Sequence, residues 1–190
     1  MPDLAADGWP DEATRPAVTD PDEVREGHPN QQLLAQVHAH LRSELARIVE
    51  ALDELAVSGG VDQDAVVGDV RAFLQRLASR QDRFSLGAFC AAYCRTVATH
   101  HAIEDHRMFP DMAAADPRLT PVLDRLGAEH GVITGLLDRL DRTLVAMVSG
   151  SIGLDDMRAA ASRLSRVLLS HLDYEEEQLL GPLGRLPMMV

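Results

Sequence analysis

The chain has 190 residues, of which 46% are hydrophobic and only 4% aromatic, so we expect one domain with a core of aliphatic side chains. The formal net charge of −12 disfavours binding to the phosphate backbone of nucleic acids. The sequence has no apolar run of the ~18 residues that suggest a membrane span, and its first residues lack the pattern of a secretory signal. We therefore expect a cytoplasmic protein that binds neither nucleic acid nor membrane. The oligomeric state stays open.

Residues 1–29 are expected to form a disordered tail. This segment has eight acidic side chains against two arginines, a net charge of −6, and it holds half of the ten prolines. Such a composition buries too little apolar surface to offset the entropy lost on ordering. Residues 186–190 are expected to form a short C-terminal tail, which leaves residues 30–185 for the folded domain.

Four long amphipathic helices are predicted from apolar side chains that recur every three or four residues. They extend from Asn30 to Val57, from the N-cap Ser85 to a stop or kink at Pro110, from Thr120 to Ser149, and from Leu154 to Leu180. A shorter helix is predicted between the first two, from Asp62 to Ala78. The fold class is therefore all-α, an up-down four-helix bundle with one short extra helix between its first and second core helices.

Each long helix places one histidine on its apolar stripe, and two helices add a glutamate one turn later. The stripe histidines are His38, His100, His130 and His171, and the glutamates that follow are Glu104 and Glu175. Buried carboxylates are strongly disfavoured unless a positive charge neutralises them. A metal supplies that charge, and imidazoles with bridging carboxylates suit paired transition metals inside a bundle. These six residues are the predicted metal ligands.

Four further side chains are predicted to border this site. His40 and His101 also precede an acidic residue by four positions, but they lie off the stripes, and His40 is kept as an alternative to His38. Tyr93 and Tyr174 fall near the histidines along their helices. Each tyrosine either packs in the core with a bonded hydroxyl, hydrogen-bonds to a ligand, or is itself a phenolate ligand.

The segments HHAIEDHRMFP and HLDYEEEQLLGPL, together with VHAHLRSEL and AEHGVI, resemble the hemerythrin-like, HHE cation-binding domain family. The resemblance covers about residues 30–185 and implies a four-helix bundle around a non-haem di-iron centre. By position it implies His38 and His100 on one iron, His130 and His171 on the other, and Glu104 and Glu175 as bridges. The family favours two iron ions with an oxo or hydroxo bridge over manganese or zinc.

The sequence departs from the oxygen-carrying hemerythrins at two positions. Their third helix supplies a further histidine where this chain has Leu126, and their last helix supplies an aspartate where this chain has Glu175, four residues after His171. The pattern is closer to bacterial hemerythrin-like proteins and iron-sensing relatives. A missing ligand leaves an open coordination position, which favours reaction with O2 or peroxide over reversible carriage.

Two classes of function follow from these patterns. The first is a di-iron protein that interacts with O2 or peroxide, for oxygen or redox sensing or for peroxide removal with weak catalase-like activity. The second is a non-enzymatic iron-binding or iron-sensing module whose metal occupancy sets the stability of the bundle. A metal-free structural bundle is the third and least favoured reading.

Overall fold

The computed structural model describes residues 8–18, 27–58 and 86–185, and all regular structure in these ranges is helical. In chain order the α-helices are α1 (Pro29–Ser58), α2 (Leu86–Ile103), the short α3 (Phe109–Ala115), α4 (Thr120–Val148) and α5 (Leu154–Leu183). Single 3-10 turns lie at Glu12–Thr14 and Pro117–Leu119. The predicted all-α four-helix bundle is confirmed. The short helix predicted from Asp62 to Ala78 and the predicted tail 186–190 lie outside the described residues.

The helix ends follow the signals in the sequence. Helix α4 begins at Thr120-Pro121 as predicted, and it ends in a turn in which Gly150 takes a φ of 75°. In that turn the Gly150 and Ser151 N–H groups donate to the carbonyls of Met147 and Ala146, which satisfies two carbonyls at the end of the helix. The short loop to α5 therefore begins with a turn whose backbone conformation depends on Gly150.

The helical path does not stop at Pro110. Helix α2 passes into a π-helical turn, Glu104–Met108, in which the Phe109 N–H bonds to the Glu104 carbonyl, and α3 then begins. Because the wider turn places Pro110 in the first turn of α3, the missing proline N–H breaks no hydrogen bond there. Such π turns are frequent at functional sites, and this one carries Glu104.

The chain divides into two compact units, each with its own apolar interior. Of the described residues, the first unit contains 8–18, 27–42, 97–134 and 166–185, and its buried apolar cluster includes Leu34, Met112, Leu126 and Leu179. The second contains 43–58, 86–96 and 135–165 and buries side chains such as Leu45, Ile48, Leu140 and Met157. All six predicted ligands belong to the first unit.

Residues 8–18 differ from the predicted disordered tail, because they are ordered against the first unit. Trp9 is only 6% exposed, Val18 packs against the apolar cluster, and the Tyr174 hydroxyl donates to the Pro16 carbonyl over 2.7 Å. Composition averaged over 29 residues hid these contacts, since one tryptophan and one arginine carry much of the docking. Residues 1–7 and 19–26 lie outside the described ranges.

Candidate metal centre

Four histidines from four long helices meet in pairs inside the first unit. The Nε2 atoms of His38 on α1 and His100 on α2 lie 3.0 Å apart. The Nε2 atoms of His130 on α4 and His171 on α5 lie 3.1 Å apart. Two imidazoles bound side by side at about 2.1 Å from one metal place their nitrogens roughly 3 Å apart, so both pairs have the spacing that a shared cation requires.

Glu104 and Glu175 lie between the two pairs. Glu104 places one oxygen 3.1 Å from His100 Nε2 and the other 3.6 Å from His130 Nε2. Glu175 Oε2 lies 3.4 Å from His38 Nε2 and 3.7 Å from His171 Nε2. Each carboxylate therefore reaches both histidine pairs, which is the arrangement that a bridging carboxylate needs.

His101 lies inside the cluster, whereas it was predicted to flank the site. Its side chain is buried, and its ring stacks on that of His130 with 4.0 Å between centroids. The candidate ligand atoms form two sets, and within each set all atoms lie within 4.8 Å of one another. One set is His101, His130 and His171, and the other is His38, His100, Glu104 and Glu175. Consecutive residues on a helix point about 100° apart, so His100 and His101 can serve two neighbouring positions. Two adjacent histidines, His100 and His101, are the sequence signal for this ligand, and a search for one histidine on each apolar stripe misses it.

The other bordering residues lie away from the cluster. His40 is exposed on α1 and lies outside both ligand sets, whereas His38 is buried within one of them, so the geometry favours His38 as the predicted ligand. Tyr93 is buried within the second compact unit, and burial raises the pKa of its hydroxyl. Tyr174 donates to the Pro16 carbonyl, and burial raises its pKa to about 12, so it is a neutral donor at pH 7. The reading of Tyr174 as a packed residue with a bonded hydroxyl is the one that the structure supports.

Three histidines have a carboxylate behind the ring, and sequence reasoning missed all three carboxylates. The Nδ1 contacts are His38 with Glu176 at 2.8 Å, His130 with Asp105 at 2.8 Å and His171 with Glu129 at 3.1 Å. An Nδ1–H that donates to a carboxylate leaves Nε2 as an acceptor directed into the cluster. Each carboxylate directly precedes or follows a predicted ligand in the sequence, which is the signal that could have found it.

Two of these carboxylates are held by arginines. Glu129 is fully buried, and it accepts from Arg15 and Arg125 as well as from His171. Burial would raise its pKa, but these hydrogen bonds outweigh burial and lower the pKa to about 2. Glu176 accepts from Arg42 in the same manner. Both carboxylates have lowered pKa values and are ionised at neutral pH, so each orients the Nδ1 side of its histidine and leaves Nε2 facing the cluster.

The electrostatics of the cluster fit a cation. Among the described residues, no carboxylate oxygen of Glu104 or Glu175 makes a hydrogen bond, although histidine nitrogens lie 3.1 to 3.7 Å away. Both ring nitrogens of His101 are likewise buried without a hydrogen-bond partner there. Burial and the nearby Glu175 raise the pKa of Glu104, while burial and the neighbouring histidines lower the pKa of His100 to about 4. Buried polar atoms without partners are costly, so the donor set is explained best by ions that use these atoms as ligands.

Comparison with known proteins agrees with this chemistry. The model of the Hemerythrin HHE cation binding domain matches residues 30–183, which include all seven clustered histidines and glutamates. No curated protein and no solved structure gives a significant match. Each described helix is too short or too polar to cross a lipid bilayer. The chain therefore belongs to the hemerythrin HHE cation-binding domain family.

Proposed function

We propose that the first unit binds two iron ions and brings them into contact with O2 or peroxide. The observation that carries the proposal is the pair of ligand sets with unpartnered carboxylates between them. Glu104 and Glu175 together offer two carboxylates in a buried space, and the two sets provide separate groups of imidazoles. Neutralising two buried carboxylates is the role that two bound cations would fill.

The two positions have unequal numbers of histidines. In this proposal His38 and His100 would serve one ion, and His101, His130 and His171 would serve the other. Each glutamate lies near both histidine pairs and would therefore serve both ions. In this proposal His101 supplies a fifth histidine, in place of the one that the oxygen-carrying hemerythrins have at the position of Leu126. The position with two imidazoles has fewer protein ligands, so we expect O2 or peroxide to bind there. Bound iron would supply the electron transfer that the side chains cannot perform.

The surrounding side chains limit access of water. Phe109 stacks against His130 with 5.5 Å between ring centroids, and Leu126 is fully buried in the apolar cluster beside Met112. Apolar surroundings lower the local dielectric constant, which strengthens the electrostatic interaction between the ligand side chains and a bound cation. Three imidazole rings are held in orientation by carboxylates at Nδ1, namely those of Glu176, Asp105 and Glu129.

Iron is favoured over manganese and zinc on the family resemblance, since histidine and carboxylate sets accept all three. Sensing of oxygen or redox state, or peroxide removal, is the activity that we propose for the iron form. The alternative is a non-enzymatic module that binds or senses iron. A cytoplasmic location stays a prediction from the sequence.

The test is reaction of the anaerobically Fe2+-loaded chain with O2 and with hydrogen peroxide. We expect new charge-transfer absorption in the near ultraviolet, and peroxide consumption faster than that of the same amount of free iron. His38→Leu should lose the absorption, whereas the matched exposed variant His40→Leu should keep it. A spectrum that forms without peroxide consumption would favour the non-enzymatic module. An iron-loaded chain whose spectrum neither oxidant changes would contradict the proposal.

A further inference from the structure

Residues 8–18, named here the N-terminal strap, reach the metal cluster through one arginine. Arg15 binds Glu129 with two parallel hydrogen bonds, Nε to Oε1 at 2.9 Å and Nη2 to Oε2 at 3.0 Å. The same Glu129 accepts from His171 Nδ1 at 3.1 Å. A continuous chain of charge-assisted contacts therefore joins the strap to an imidazole of the cluster.

Glu129 depends on the strap for its partners. Its side chain is 0% exposed, so bulk solvent does not reach it to replace a lost hydrogen bond. Arg125 is its other cation, with Nε 2.8 Å from Oε1. Arg125 also donates to the Asp11 carbonyl at 2.8 Å and to the Thr14 hydroxyl at 3.1 Å. Both cations that hold Glu129 are thus tied to the strap.

The strap has further contacts that seat Arg15. The Arg15 guanidinium lies 4.6 Å from the ring centroid of Tyr174 and 5.5 Å from that of Trp9. It also donates to Ser170 Oγ at 3.0 Å. Glu12 accepts from Trp9 and from Ser170. These contacts define one docked position for the guanidinium, so Glu129 is held in one orientation behind His171.

We propose that Arg15 is a positioning residue for the metal centre, and that docking of the strap and metal occupancy are coupled through Glu129 and His171. A cation on His171 Nε2 polarises the ring and strengthens the Nδ1–H bond to Glu129, which then holds Arg15 more firmly. By thermodynamic reciprocity, the docked strap raises metal affinity by the same factor. The inference rests on the proposed metal binding, and it assigns to the N-terminal segment a role in controlling it.

The sequence supplies a probe for this coupling, because Trp9 is the only tryptophan of the chain. Zn2+, which does not quench fluorescence by redox chemistry, is added to the metal-free full-length chain. Acrylamide quenching then reports the exposure of Trp9, and competition with a chelator reports Zn2+ affinity. We expect Zn2+ to reduce the quenching of Trp9 in the wild-type chain.

Arg15→Gln is expected to abolish that response and to weaken Zn2+ binding about tenfold, the lower end for residues that hold a metal ligand in place. Arg15→Lys should recover only part of the affinity, since it keeps the charge but loses the paired hydrogen bonds to Glu129. Glu129→Gln should also weaken binding, and adding Arg15→Gln to it should cause no further loss, because both act through one contact. Arg118→Gln is the matched control: this arginine is 77% exposed, pairs with Asp116 and should keep affinity within about twofold.

Zn2+ binding that leaves Trp9 quenching unchanged in the wild-type chain would overturn the coupling, whatever the variants show. Equal Zn2+ affinity in the wild type and Arg15→Gln, or additive losses in the double variant, would also overturn it. In these cases the metal site itself stands. A wild-type chain that binds no Zn2+ and no Fe2+ would instead overturn the proposed function, and the coupling with it.

Discussion

Replacing His101 by leucine is expected to stabilise the metal-free fold and weaken metal binding at the same time. His101 is 3% exposed, and neither of its ring nitrogens has a hydrogen-bond partner among the described residues. Burial, followed by the neighbouring histidines, lowers its pKa, so the ring is neutral at pH 7. The side chain is therefore poorly suited to the metal-free core, while it points at the same space as His130 and His171.

The two effects differ in size. An unpartnered buried polar group costs about 1–3 kcal/mol, so an apolar side chain of similar volume should raise apo stability by about 1 kcal/mol after imperfect packing. For a chain of this length that corresponds to a rise in Tm of about 2–4 °C. A four-ligand metal site contributes about 10–16 kcal/mol, or about 3 kcal/mol per ligand, so loss of one imidazole should weaken binding roughly a hundredfold.

The assay is thermal unfolding of the chelator-treated protein by circular dichroism, together with Zn2+ competition titration. His106→Leu is the matched control, because His106 lies in the π-helical turn that directly follows α2 and is exposed. It should change neither quantity appreciably. A His101→Leu variant with lower apo stability and unchanged metal affinity would refute the reasoning, since His101 would then be an ordinary packed residue.

Three further predictions concern the whole site and its surroundings. Chelation should lower the Tm by about 10 °C relative to the metal-loaded chain, since a metal at a thousand times its Kd adds about 4 kcal/mol; an unchanged scanning-calorimetry Tm would contradict metal-linked stability. Leu126→Ala should cost about 3 kcal/mol in urea unfolding, because the side chain is fully buried, yet leave the number of bound metals unchanged. Tyr174→Phe should cost about 1 kcal/mol through loss of the bond to Pro16 and leave the iron absorption spectrum as it was; a lost band would revive the phenolate reading.

The bundle and most of the cluster could be predicted from spacing alone. A histidine between Leu34 and Leu41, or between Leu126 and Ile133, must face the interior if those leucines do, and the structure buries His38 and His130 accordingly. The Thr120-Pro121 start and the Gly150 stop are local signals, so they did not depend on the rest of the fold.

The rest of the site could not be predicted, because it depends on tertiary packing that the spacing of apolar residues does not show. His101 enters the cluster because α2 faces two neighbouring ligand sets, whereas a single stripe assumes one. The three outer carboxylates contact histidines on other helices, as Asp105 does with His130, so their roles follow from tertiary contacts. Residues 8–18 are ordered by contacts such as those of Arg15 with Glu129 and Ser170, which lie more than a hundred positions away in the sequence. Composition could not reveal them.

Metal analysis of the purified chain tests the central claim most directly. The chain is loaded with Fe2+ without oxygen, freed of unbound ions by gel filtration, and assayed for iron and protein. The ligand sets predict about two irons per chain in the wild type and in His40→Leu, and a clear loss in a variant that replaces both His38 and His171 by leucine. Iron content near zero in the wild type, or equal in all three proteins, would contradict a metal centre at this cluster.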